Sequence, residues 1–448
     1  MADLTKPNMN VVFLGPMDVG KSTLVGNLMF QTGAATQEDL DKIKQELGDS
    51  YDESMKFAYL LDEEKEERTL KKTINTNYKF IAGPEKNNFV LIDTPGDPAY
   101  SQNMIGEVSK GDVAVIVLSS CVKSFNKAFA NFEIQSQVYL ALAMSINQFI
   151  FCINFDKVNG ANEDQDAIDT ITYALGDWIK DKGLKIEDPS FIPIMALGGD
   201  NIVKKSDKFP YYMGKPLLQE LSYKLIPVRE TSFALRLPIS KIKGVNDDTM
   251  TLEGSIEYGK LTKGMELGFC PGRQTGTVTN ISFFGNTVEE GKAGDFITFT
   301  VKGVDSTKIK RGQVVYDNES KDQAFDAISM EAMVVIANST KGLLGGDKYE
   351  LHFNTAFTTG TVVRVIGKMI EENLMYGNVP IFSNETGIVA FDLPKDQISA
   401  DVYYSFPSCG KFAIKGDNGQ IIGFGIVRNT TIAKAVEEYK EELNEEEG

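Results

Sequence analysis

The chain has 448 residues, 42% of them hydrophobic, enough for a sizeable core and a length suited to about three domains. Sixty-three acidic against forty-six basic residues give a net charge of −17, opposite to that of a protein gripping a nucleic-acid backbone over a wide surface. No run approaches the roughly 18 apolar residues of a membrane span, and with His352 as the single histidine, any chemistry needing an imidazole elsewhere is excluded.

The first residues, Met1 to Pro7, lack the apolar core of a signal peptide, which predicts a cytoplasmic protein with no membrane partner. An apolar run, Asn10 to Leu14, reads as a buried strand. It enters Gly15-Pro16-Met17-Asp18-Val19-Gly20-Lys21-Ser22-Thr23, and a helix leaves toward Phe30. Strand, glycine loop and helix in this order make a P-loop. Backbone amides from Gly15 through Asp18, Val19 and Gly20 to Thr23 suit phosphate oxygens. Lys21 adds a charge, Ser22 offers its hydroxyl to Mg²⁺, and the helix N-terminus favours the anion.

Residues 37–67 read as helix broken near Gly48-Asp49, and 74–81 as a half-exposed strand. Phe89 to Ile92 is a buried strand ending at Asp93-Thr94-Pro95-Gly96. Here Asp93 suits Mg²⁺ through water and the Gly96 amide suits a terminal phosphate. Thr73 lies where a first switch loop would offer a second hydroxyl to the metal. Further strands fall at 113–119, 149–154 and 191–195, with helices near 99–110, 127–145, 163–182 and 216–225. This alternation predicts an α/β domain with a parallel sheet covered by helices on both faces.

After Val228 the texture changes to short alternating runs with turn signals about every ten residues, which predicts β-barrels. Asp317 to Asp322 reads as a polar linker. The expected domains are therefore 1–228, 229–322 and 323–434, with an acidic tail at 435–448 that reads as disordered. Cys121, Cys152, Cys270 and Cys409 are isolated, without metal-ligand spacing, and read as buried thiols.

Taken together, these residues resemble the translational GTPases, most closely the elongation factor 1-alpha type. The likeness covers nearly the whole chain. It includes the P-loop, Phe57 to Asp62, Asp93 to Gly96 with Asn103-Met104-Ile105, and Gly199-Asp200-Asn201. Further along it includes Leu235-Arg236-Leu237-Pro238, Leu261 to Met265, Ala293-Gly294-Asp295, Arg311-Gly312, and Gly410 to Lys415. The resemblance implies a G domain followed by two antiparallel β-barrels, GTP or GDP with Mg²⁺ as ligand, and delivery of aminoacyl-tRNA to the ribosome.

Several positions depart from the family pattern. Its histidine after D-x-P-G, which orients the attacking water, is Asp97 here. Its Gly-Ile-Thr switch is Lys71-Lys72-Thr73. Its Asn-Lys-x-Asp base motif is Asn154-Phe155-Asp156-Lys157, so Lys157 stands at the acceptor position. Asp156 would substitute only with a register shift, and Phe155 offers a ring to stack on a purine. The following base loop, Ser-Gly or Ser-Ala in relatives, is Met195-Ala196-Leu197. The family's tRNA-facing histidine stretches read Phe283-Phe284-Gly285 and Asn354-Thr355-Ala356-Phe357. Phe283 and Phe284 read as barrel-rim packing, and a lysine-rich tail is replaced by an acidic one. The sequence-level expectation is a nucleotide-binding relative with weak or lost hydrolysis, built into a protein assembly, with a cytoskeletal one suggested by family analogy; tRNA and ribosome are disfavoured by the charge. Two alternatives stand beside it: a working translational GTPase acting in delivery, termination or surveillance, and an NTPase of altered base preference.

Overall fold

The structure, a computed structural model, describes residues 6–62, 65–70, 73–84, 86–97, 100–156, 165–246, 248–339, 341–371, 373–416 and 419–432. Lys71, Lys72, Lys157 and the acidic tail lie outside the described residues. The chain divides into two compact units, Met1–Pro227 and Val228–Gly448.

The first unit is built on six strands: β1 (Asn8–Leu14), β2 (Asn77–Ile81), β3 (Asn88–Asp93), β4 (Val113–Ser119), β5 (Gln148–Asn154) and β6 (Glu187–Ile194). Their order across the sheet is β2-β3-β1-β4-β5-β6. Residues of β1, β3, β4 and β5 are buried almost without interruption, the pattern of strands covered on both faces. After β1 the chain crosses to β2 at the edge, returns through β3 to lie beside β1, and then builds the other half of the sheet through β4 to β6. The order therefore reverses beside the carboxyl end of β1, where ligands of open α/β sheets bind. One expectation needs correcting. The sheet is mixed rather than parallel, because β2 runs antiparallel to β3, with Asn77 opposite Asp93 and Ile81 opposite Phe89.

Eight helices accompany the sheet among the described residues: α1 (Lys21–Gln31), α2 (Gln37–Leu47), α3 (Lys65–Leu70), α4 (Ser101–Val108), α5 (Val122–Ala130), α6 (Glu133–Ala143), α7 (Gln165–Asp181) and α8 (Leu217–Tyr223). Thr36 and Asp39 form a reciprocal capping box at the start of α2. The helix ends at Gly48, whose positive φ of 50° suits glycine, and short 3₁₀ turns carry the chain onward. The stretch expected as one helix over 127–145 is two, because Phe132 takes a left-handed conformation (φ 63°) between α5 and α6. Val11, Phe13, Leu24, Leu28, Leu91 and Val115 lie in one core cluster, which fixes α1 against the sheet.

The second unit holds two closed antiparallel barrels of six strands. In one, Glu266–Cys270 pairs with both Val314–Asp317 and Gln274–Phe283, which joins the ends of the sheet. In the other, Lys348–Phe353 pairs with both Lys411–Lys415 and Ala356–Ile370. Closure removes most free strand edges, which would otherwise be open to pairing with another chain. Arg236 joins the two barrels. Its guanidinium donates to both Asp401 oxygens (2.9 and 3.1 Å) and to the carbonyls of Asp322 (2.9 Å) and Gln323 (3.3 Å).

Candidate nucleotide site

The loop between β1 and α1 needs its glycines. Gly15 and Gly20 have φ of 142° and 95°, and Asp18 adopts the left-handed region at 61°. A β-carbon at Gly15 would lie 2.3 Å from the Val117 carbonyl oxygen, and one at Gly20 would lie 2.6 Å from Asn154 Nδ2. Both glycines are thus required by close approach as well as by dihedral.

Lys21 is buried at the centre of this loop. Its ammonium donates to the carbonyls of Gly15 (3.0 Å) and Pro16 (2.8 Å). Burial pulls its pKa down to about 8, against the opposing influence of Asp93 and Asp18. Gly96 closes over the same group: a β-carbon there would come within 2.2 Å of Lys21 Nζ. The loop after β3 therefore reaches Lys21.

Ser22, Thr73 and Asp93 converge. Ser22 Oγ donates to Asp93 Oδ2 at 2.7 Å and lies 2.9 Å from Thr73 Oγ1. Asp93 is fully buried, and its second oxygen, Oδ1, has no hydrogen-bond partner. Burial raises its pKa to about 6, with Ser22 and Lys21 pulling the other way. Two hydroxyls and a carboxylate with an unused buried oxygen are hard oxygen donors of the kind Mg²⁺ takes, alongside substrate phosphates. Among the described residues no cluster of His, Cys, Asp and Glu could hold a metal unaided, so phosphate would complete the shell. The residues present fit both groups: a glycine cradle with a buried cation for phosphate, and three oxygens for the metal.

Asp97 is half-buried, four residues beyond Asp93, and its carbonyl accepts the Tyr100 amide at 3.0 Å. No imidazole stands there.

The base side departs further from expectation. Asn154 ties three segments together: Nδ2 donates to the Val19 carbonyl (2.9 Å), and Oδ1 accepts the amides of Ala196 (3.0 Å) and Asp156 (3.2 Å). Asp156 Oδ2 accepts the Leu197 amide at 2.8 Å, and burial lifts its pKa above the usual carboxylate range. The two amides of the base loop are thus taken by the chain's own side chains. Phe155 corrects the sequence reading. It is fully buried and packs edge-on against Phe209, ring centroids 5.3 Å apart, so its ring faces the core and not a ligand. Its backbone position turns it inward, between an asparagine and an aspartate that both face the loop.

Three residues were missed from the sequence. Asn27 on α1 donates to the carbonyls of Ala196 (2.7 Å) and Leu197 (3.2 Å), bracing the base loop. Gln137 on α6 accepts the Gly15 amide. Glu67 on α3 accepts the amides of Ile74 and Asn75. The clue for Gln137 was the polar run Gln135-Ser136-Gln137 on an otherwise apolar buried helix; Glu67 stood unremarked among neighbouring charges.

In the second unit, Phe283 is buried and meets Phe284 edge-on at 4.9 Å. Asn354 is buried, Thr355 donates to the Ile239 carbonyl at 2.8 Å, and Phe357, 49% exposed, stacks on His352.

Comparison with known proteins bears on the family and the fold. Residues 6–232 match the elongation factor Tu GTP binding domain, 251–316 match elongation factor Tu domain 2, and 329–428 match the GTP-eEF1A C-terminal domain-like family. Elongation factor 1-alpha of Ignicoccus hospitalis is 30% identical, with 97% of this chain and 98% of that protein covered. The one from Staphylothermus marinus is 31% identical, covering 94% and 96%. Among solved structures, the GTPase-like domain of S. cerevisiae Ski7 bound to GTP shares the fold with a TM-score of 0.78 at 18% identity, covering 94% of this chain and 97% of that one. The elongation factor SelB of Methanococcus maripaludis gives a TM-score of 0.67 at 19% identity, covering 97% and 81%. A P-loop, two closed barrels and full-length sequence likeness lead to one assignment: the chain belongs to the translational GTPase family, as a relative of elongation factor 1-alpha.

Proposed function

We propose that this protein binds a guanine nucleotide with Mg²⁺, turns it over slowly or not at all, and serves as a structural component of a protein assembly. The observation that carries the reading is an imbalance within one site. On the phosphate side Lys21 is seated in the glycine loop by the Gly15 and Pro16 carbonyls, and Ser22 meets Thr73 and Asp93. The position that would orient the attacking water carries Asp97.

Phosphoryl transfer depends on positioning and charge stabilisation. Mg²⁺, when bound, would neutralise charge on the phosphates. Lys21 holds its proton between two carbonyls, ready to meet an anion. Asp97 adds negative charge where negative charge already accumulates, and it lacks the reach of an imidazole. A ligand that binds only the folded chain and persists adds stability by mass action, which suits a nucleotide kept for structure. Related chains of this fold are known with GTP, and with GDP and inorganic phosphate.

The partner is expected to be protein rather than tRNA. A net charge of −17 opposes the counterion-release term of nucleic-acid binding. The Asn354 to Phe357 stretch, where the family places tRNA contacts, is spent on barrel packing and one exposed ring. A cytoskeletal assembly is the candidate that family analogy offers. The test is to denature protein purified from its source and chromatograph what it releases. The proposal expects about one guanine nucleotide per chain; a chain isolated free of nucleotide and unable to take it up would contradict it.

A further inference from the structure

A run of protein-to-protein contacts leads from α2 to the metal-facing hydroxyl of Thr73. Arg68, on α3, donates through a terminal nitrogen to Glu46 of α2 at 2.9 Å and through Nε to the Asp62 carbonyl at 3.0 Å, which anchors α3. One residue earlier, Glu67 is 1% exposed. A buried carboxylate needs strong partners to offset its lost hydration. Here a single oxygen accepts two backbone amides, those of Ile74 and Asn75, each at 2.9 Å. Those amides immediately follow Thr73, whose hydroxyl lies 2.9 Å from Ser22 Oγ. Hydrogen bonds to an ionised acceptor are about twice as strong as neutral ones.

We infer that Glu67 is the positioning residue of the first switch: its buried carboxylate holds the Thr73 segment at the metal site through the chain's own hydrogen bonds. This deepens, and rests on, the reading of the site as one for a guanine nucleotide with Mg²⁺. In a switch set by its ligand, a terminal phosphate and its metal order the loop, and hydrolysis releases it. A loop anchored by Glu67 gains little from the third phosphate. The protein therefore holds one switch conformation with nucleoside diphosphate and triphosphate alike, and its affinities for the two differ little.

Amide hydrogen exchange on the full chain tests this, read on peptides spanning residues 73–80, with saturating GDP and with a non-hydrolysable GTP analogue. The wild-type protein should show the same protection in both states to within about twofold. Glu67→Ala should lose about tenfold or more of it, most clearly with GDP, and Glu67→Gln, which keeps an acceptor oxygen, should retain most. If Glu67→Ala does not fold by circular dichroism, Arg68→Leu cuts the α2 anchor and leaves the carboxylate in place; a partial loss of protection is then expected. Wild-type peptides that exchange freely with GDP and become protected only with the analogue would overturn the inference, as would a folded Glu67→Ala, or failing that Arg68→Leu, indistinguishable from wild type. Binding of fluorescent GDP in the same samples separates the two levels of argument. If it does not bind, the nucleotide reading fails, while Glu67-dependent protection in the free chain still reports on the clamp.

Discussion

Replacing Arg236 by methionine should destabilise the second unit by about 3–5 kcal/mol. The side chain is 1% exposed and spends its donors fully. Two bonds go to the Asp401 carboxylate, one each to the carbonyls of Leu235, Asp322 and Gln323, and its carbon centre sits 4.0 Å from the Phe406 ring centroid. Methionine keeps much of the volume and removes every one of these donors. Asp401, 14% exposed, is then left as a nearly buried charge without its partner, and that penalty dominates the estimate. Loss of the contact to Phe406 adds about 1 kcal/mol. The double variant Arg236→Met/Asp401→Leu removes the stranded charge and should recover most of the loss, since a buried pair replaced by apolar groups is often close to neutral. Urea denaturation followed by two probes makes the assay specific. Trp178, the only tryptophan, lies on α7 and reports the first unit, while far-UV circular dichroism reports both. The circular dichroism transition of the second unit should move and the tryptophan transition should not. A loss below about 1 kcal/mol, or a double variant no better than the single, would show that the guanidinium is not what joins the barrels.

Two further outcomes follow from local geometry. His352 is buried, and its pKa is pushed down to about 4, chiefly by burial, with Lys415 and Arg311 adding to this and Glu350 opposing it. Between the ordinary value and about 4 the unfolded chain binds a proton that the folded chain refuses, so stability falls as pH drops through that window. Wild type should lose about 2 kcal/mol from this group between pH 7 and pH 5, and His352→Asn should lack that component in matched urea titrations; parallel pH profiles would refute it. Gly26→Ala should destabilise the first unit despite the better helix propensity of alanine, because the new methyl would lie 2.0 Å from the Phe57 carbonyl oxygen. Overpacking of this kind costs about 1–3 kcal/mol, and a raised melting temperature would show that α1 yields freely.

Much of this was readable before any coordinates. The P-loop, the loop after β3 and the change of texture near Val228 each combine several local rules that agree, and agreement across levels makes a sequence legible. Thr73 was picked out by its place just before the second strand, and its hydroxyl does lie beside Ser22. The reading failed where tertiary context decided. Phe155 alternates in a polar loop, and nothing in its neighbours shows that Phe209 lies behind it. The break at Phe132 needs a left-handed non-glycine residue, which propensity disfavours. The reversed direction of β2 follows from its short connection into β3, which the general alternation of strands and helices does not register. Gln137, Asn27 and Glu67 act on backbone groups over a hundred residues away or in a neighbouring loop, and no spacing rule reports such bonds.

The central claim is that the phosphate and metal half of the site is intact while the group that orients water is not. Single-turnover hydrolysis of bound GTP, followed in the wild-type chain and in Asp97→His, tests it most directly. An imidazole restored at that position should raise the rate at least about a hundredfold over a near-background wild type, the usual worth of a positioned acid–base group. Brisk turnover by the wild-type chain, abolished by Lys21→Ala and indifferent to Asp97, would contradict the account.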